Sequence, residues 1–130
     1  MAGASVVSII DDDQLLRESI VDFVRAMGLE VQEFGRAEDF LCSDSIARTA
    51  CLITDMRMPG MSGLDLHERL TARGEAIPTI VITAFPKDDD RARALRNGVV
   101  RYLAKPFDPN QLADCITSAF EKREYGGSKS

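Results

Sequence analysis

The apolar residues of this chain change their spacing along its length, and the changes divide it into short segments. "SVVSII" (residues 5–10) is a continuous, mostly β-branched run. After it Leu16, Ile20, Phe23, Val24 and Met27 recur at helical spacing and stop at Gly28, a residue type suited to the position just past a helix. "LEVQEF" (29–34) alternates apolar and polar side chains, the pattern of an edge or half-buried strand. A short helix is predicted over 37–43, followed by a second continuous apolar run, "ACLIT" (50–54). "GLDLHERLTAR" (63–73) returns to the helical period, and "TIVIT" (79–83) reads as another buried strand. Residues 88–97 form an Ala/Arg-rich helix ended by Gly98, and "VRYLA" (100–104) reads as a fifth strand. In the last helix Asp108 can serve as cap and Pro109 suits the first helical position, while Leu112, Cys115, Ile116, Ala119 and Phe120 form one stripe.

Five strands alternating with helices predict βαβ units and a parallel sheet covered on both faces. Continuous rather than alternating apolar strands are what such a doubly covered sheet requires. Composition agrees: 130 residues with 45% hydrophobic and 28% charged side chains suffice for one domain around one core. The net charge of -5 argues against direct nucleic-acid binding. Cys42, Cys51 and Cys115 are scattered and, with a single histidine, build no zinc site; they read as reduced, buried small hydrophobes. His67, in mid-helix, reads as a surface residue. No apolar run approaches membrane-spanning length and "MAGA" carries no signal-peptide pattern, so a soluble, cytoplasmic chain is expected. Residues 1–125 form the expected domain, and 126–130 ("GGSKS") a flexible tail or the start of a linker.

In parallel α/β sheets ligands sit outside the carboxyl ends of the strands. There the sequence places Asp11 and Asp12 (first strand), Asp55 (third), Thr83 (fourth) and Lys105 (fifth). Alone, Asp11–Asp13 could be only an acidic helix start, favourable to the helix dipole. Asp55 and Lys105 at the same edge favour a shared cation instead, with Asp13 as the cap. Oxygen-only ligands suit a hard ion such as Mg2+. The lysine adds a positive charge and the threonine a hydroxyl, so the set describes a site for a metal and a phosphoryl group with a carboxylate nucleophile.

"IIDDD", "LITDMRMPGMSGLDL", "IVITA" and "YLAKPFD" resemble, in order and spacing, the receiver domain of two-component response regulators. The "DMRMPGMSG" run looks most like receivers of the nitrogen-fixation type of transcription regulator. The resemblance implies a flavodoxin-like (βα)5 fold, a doubly wound parallel five-stranded sheet of order 2-1-3-4-5. It implies that Asp55 accepts a phosphoryl group from a sensor histidine kinase, and that Asp11, Asp12, Asp55 and the backbone carbonyl of Arg57 hold Mg2+. Lys105 would pair with the phosphoryl oxygens, Thr83 would move to bond one of them, and Tyr102 would be the aromatic switch that then turns inward. Lys105–Pro106 is expected to be cis. Output is expected through the fourth helix, fifth strand and fifth helix, which can also form a homodimer on phosphorylation. Transcription would be controlled through a C-terminal domain if the tail begins a linker, and otherwise the chain is a stand-alone signalling receiver.

Three features depart from the family pattern. Arg57 and Phe85 occupy positions that flank the phosphoryl group and set its lifetime; a bulky Phe85 is expected to hinder the attacking water. Pro86 restricts the loop after Thr83. Arg101, with Arg91, Arg93 and Arg96, makes the fourth-helix region basic, either a solvated face or an acidic partner's surface. Two competing readings are weaker. An aspartyl-phosphate phosphohydrolase needs a second acid where Arg57 stands. A flavin- or nucleotide-binding module needs a Gly-rich loop where the aspartates stand.

Overall fold

The continuous apolar runs of the sequence are the inner strands of a parallel sheet. The computed structural model describes the backbone of residues 6–129 and the side chains of residues 6–121. In chain order the elements are β1 (Val6–Ile10), α1 (Gln14–Ala26), β2 (Glu30–Phe34), α2 (Ala37–Leu41), a 3-10 turn (Asp44–Arg48) and β3 (Thr49–Asp55), then α3 (Gly63–Ala72), β4 (Thr79–Thr83), α4 (Asp88–Arg96), β5 (Arg101–Ala104) and α5 (Pro109–Lys129). The five strands are ordered β2-β1-β3-β4-β5, all parallel, which is the flavodoxin-like arrangement expected. β1, β3 and β4 are buried at every residue, whereas the edge strands β2 and β5 alternate.

Alternate residues of each inner strand feed different layers. Val7, Ile9, Cys51, Ile53, Ile80 and Ile82 pack beneath α1 and α5. Ile10 and Leu52 face the other way, against Phe40 of α2 and Leu66 and Leu70 of α3. A smaller cluster joins Val81 and Tyr102 to Leu64 of α3 and Ala94 of α4. Capping fixes where the helices begin. Asp13 accepts from the Leu16 amide at 3.2 Å, as expected of a cap. Ser62 and Asp65 form a reciprocal capping box on α3, and Asp108 Oδ1 accepts from the Asn110 amide at 2.8 Å.

Several sequence expectations are corrected. His67 is buried, because it lies one turn after Gly63 and Leu64 and one turn before Leu70 on the inner face of α3. Cys42 is exposed: α2 ends at Leu41, and Phe40 rather than the C-cap residue Cys42 takes the core position. Cys51 and Cys115 are buried as expected, and burial pushes the Cys51 thiol up to about 12, so it stays protonated. Met27 is partly exposed as the C-cap of α1, and Val21 joins the stripe in its place. The 3-10 turn had no periodic signature.

One buried polar set ties the 3-10 turn to the sheet. Thr49 Oγ1 lies 2.7 Å from Ser8 Oγ and donates to the Ser45 carbonyl at 2.6 Å. Thr49→Val would strand both partners away from water, so a loss of about 1–3 kcal/mol is expected in urea unfolding. Ser8→Ala, which leaves the bond to Ser45 intact, should cost less.

Candidate functional site

Parallel strands carry all their carboxyl ends to one edge, and the residues that follow them meet there. Asp11 and Asp12 follow β1, Asp55 closes β3, Thr83 closes β4, and Lys105 follows β5. One ligand oxygen from each of Asp11, Asp12 and Asp55 lies within 4.8 Å of the others. Lys105 Nζ stands 3.1 Å from Asp55 Oδ1 and 3.6 Å from Asp11 Oδ2. The Lys105 amide donates to the Thr83 carbonyl at 2.8 Å, which fixes the lysine's root beside β4. The Lys105–Pro106 peptide is cis, as expected.

Burial sets the electrostatics. Asp11 is 1% exposed and Asp55 7%, while Asp12 is exposed. Desolvation is the largest influence on both buried carboxyls and raises them above the ordinary carboxylate range. Around Asp11, the Asp13 amide opposes that rise, and the charge of Asp55 adds to it. Around Asp55, Lys105 opposes by charge and hydrogen bond, and Asp12 adds to the rise. Asp11 Oδ1 accepts from the Asp13 amide at 2.9 Å, but Asp11 Oδ2 is buried without a hydrogen-bond partner. A buried carboxylate oxygen with no hydrogen bond, only the Lys105 ammonium at 3.6 Å, among two further carboxylates and no histidine or cysteine, fits a hard divalent cation.

The other expected residues lie around this centre. Thr83 is buried, and its hydroxyl accepts from the Phe85 amide at 3.1 Å, leaving its own proton for another acceptor. Phe85 is 68% exposed. Tyr102 is already turned inward, packed with Val81 and Ala94, and its hydroxyl accepts from the Lys87 amide at 3.4 Å. Arg57 reaches to the first turn of α4, with Nη2 3.3 Å from Asp90 Oδ2. Arg93 departs from the expected basic face, because it bonds Glu68 on α3 at 2.9 Å and lies 3.6 Å from Asp65.

Two residues near the site escape sequence reasoning. Gly63 donates its amide to the Met56 carbonyl at 3.0 Å, and a Cβ there would collide with the Asp55 carbonyl and crowd Thr54. The helix start thus presses directly on the backbone of the acidic residue, a contact invisible in the apolar period. Arg17 of α1 donates from Nη1 to the Asp11 carbonyl at 2.7 Å and pairs with Glu33 at 3.0 Å. In the sequence it is one surface charge among many.

The chain belongs to the response regulator receiver domain family, which it matches over residues 7–117. Nodulation protein W of Bradyrhizobium diazoefficiens is 37% identical over 118 residues, covering 91% of this chain and 52% of that protein. Transcriptional regulatory protein FixJ of Azorhizobium caulinodans is 38% identical over 121 residues, covering 93% and 57%. The crystal structure of FixJ-N superimposes with a TM-score of 0.83 at 33% identity, over 90% of this chain and 94% of that one. Regulators of the nitrogen-fixation type are therefore among its relatives, as "DMRMPGMSG" suggests. The chain spans about half the length of the curated relatives it matches. It is a receiver domain of two-component response regulators rather than a member of a conventional enzyme family. Among the described residues, no helix is long and apolar enough to cross a membrane.

The raised carboxyls give a signed expectation. A carboxyl whose folded pKa is raised contributes stability below its ordinary value and loses it as pH rises through the folded one. In metal-free buffer Asp11→Asn should therefore melt above wild type near pH 7, and the gap should narrow as pH falls toward the ordinary carboxylate value. Thermal melts should also show that Mg2+ stabilises wild type more than the variant.

Proposed function

We propose that this receiver takes a phosphoryl group onto Asp55 from a phosphohistidine of a sensor histidine kinase, in a Mg2+-dependent reaction. The observation that carries this is the Lys105–Asp55 pair beside the unsatisfied oxygen of Asp11. Asp11, Asp12, Asp55 and the Arg57 carbonyl would hold the ion. When bound, Mg2+ neutralises charge on the carboxylates and on the incoming phosphoryl oxygens. An Asp55 oxygen bonds to phosphorus as the donor's bond breaks, and the chain's work is positioning and charge neutralisation. Lys105 orients the Asp55 carboxylate before transfer and pairs with a phosphoryl oxygen after it. The free proton of the Thr83 hydroxyl then has a new acceptor.

Drawing Thr83 toward the phosphoryl group changes the loop that begins at Phe85, whose amide the same hydroxyl holds. That loop leads into α4, where Tyr102 meets the Lys87 amide. The output surface is then α4, β5 and α5, open to an acidic partner or to a second copy of the chain as a homodimer. Control of transcription by a further domain follows the likeness to transcriptional regulatory protein FixJ. The expected setting is the cytoplasm, where sensor kinases present phosphohistidine.

Incubation with acetyl phosphate and Mg2+, followed by intact-mass measurement, should give one phosphoryl adduct on wild type and none on Asp55→Asn or without Mg2+. No adduct on wild type that binds Mg2+ would overturn the phosphoacceptor reading. Arg57 and Phe85 are the lifetime-tuning residues in this proposal. Following the adduct over time, Phe85→Gly should lose its phosphoryl group faster than wild type, and equal lifetimes would remove Phe85 from that role.

A further inference from the structure

Arg17 lies one turn into α1 and touches the acidic turn at both ends. Its Nη1 donates to the Asp11 carbonyl at 2.7 Å, and its backbone amide donates to the Asp13 carbonyl at 2.9 Å. Nε holds Glu33 of β2 at 3.0 Å, and the side chain is 17% exposed. Asp11 is anchored again through its own amide, which donates to the Phe34 carbonyl at 3.1 Å. Asp13 is anchored through its amide on Asp11 Oδ1 at 2.9 Å. Asp12, whose side chain is exposed, thus hangs between two peptide groups that are both tied down.

We propose that Arg17 is a positioning residue for the cation site. By fixing the Asp11–Asp12 peptide, it sets where Asp11 Oδ2 and the Asp12 carboxylate stand relative to Asp55. The inference rests on the reading of the acidic pocket as a Mg2+ site. It concerns a side chain that ligates nothing and acts through the backbone of one that does. Groups of this kind orient ligands, and their loss typically weakens metal binding by about 10- to 100-fold.

Charge alone predicts the opposite sign. A guanidinium held on the Asp11 carbonyl repels a cation entering the acidic turn, so a purely electrostatic Arg17 would make its removal tighten binding. Positioning also has an ion-specific signature. Mg2+ demands near-ideal octahedral geometry, whereas Ca2+ tolerates irregular and variable coordination. A loosened turn should therefore penalise Mg2+ more than Ca2+. Glu33 orients the guanidinium from outside, and Glu33→Gln keeps an acceptor for Nε.

The test is titration of wild type, Arg17→Ala, Arg17→Gln, Arg17→Lys and Glu33→Gln with MgCl2 and separately with CaCl2. Binding is read from amide shifts of Asp12 and Asp13 by NMR, at a temperature where melts show each variant folded. Arg17→Ala and Arg17→Gln should each weaken Mg2+ by about tenfold and Ca2+ by less than about threefold. Arg17→Lys should recover part of the loss, and Glu33→Gln should stay within about twofold of wild type. Should Arg17→Ala fail to fold, Arg17→Gln, which keeps most of the stem, carries the same comparison. Unchanged or tighter Mg2+ binding in the Arg17 variants, or equal loss of both ions, overturns the inference. Wild type that binds neither ion overturns the cation-site reading itself and this inference with it.

Discussion

Two carboxylates removed from water at the end of a sheet are the constraint on which this molecule turns. Asp11 and Asp55 are buried beside each other, with Asp12 close by, and burial works against their charge. A fold tolerates that only where something positive is held in reach. Lys105 supplies one positive charge from the far side of β4, and the oxygens of Asp11, Asp12 and Asp55 lie close enough together to share a cation. The parallel topology makes this possible, because it brings the ends of strands distant in sequence to one edge. The doubly covered sheet behind that edge is buried at every residue of β1, β3 and β4.

The sheet was legible because its inner strands are buried on both faces and so read as unbroken apolar runs. The edge strand β2 announced itself by alternation in "LEVQEF", whereas "VRYLA" read only as a fifth strand. The centre was legible for a related reason. Each strand end carries a group with its own chemistry, so Asp11, Asp12, Asp55, Thr83 and Lys105 could be gathered once the strands were placed. What stayed hidden depends on contacts between segments. Whether His67 is inside is decided by what α3 packs against, since a mid-helix histidine suits either side. Cys42 looked like a small hydrophobe, but α2 ends one residue too soon to bury it. Gly63 and Arg17 matter through a close backbone approach and a long reach to a carbonyl, neither of which leaves a periodic trace. The inward position of Tyr102 is likewise a packing outcome that residue type cannot specify.

The helices divide the labour around this base unevenly. α1 and α5 share the larger cluster with four of the strands, and α2 and α3 close most of the opposite face. α4 is different. It buries only Ala94, begins without a side-chain cap, and is joined to the rest largely by exposed polar pairs. Arg57–Asp90 holds its first turn, and Arg93 and Asn97 on Glu68 hold its last. Exposed pairs of this kind contribute at most about 1 kcal/mol each.

The hydroxyl of Tyr102, 3.4 Å from the Lys87 amide, adds one tie between the start of α4 and β5. It satisfies the amide of Lys87, the N-cap residue, one of the backbone donors left open at the start of α4. In the language of cooperative units, α4 is a shallow foldon resting on a deep one. Its ties to the rest are one tyrosine hydroxyl, a few surface ion pairs and the small cluster around Ala94, all outside the two larger clusters. Local opening of α4 therefore costs less than opening the helices that share the two larger clusters.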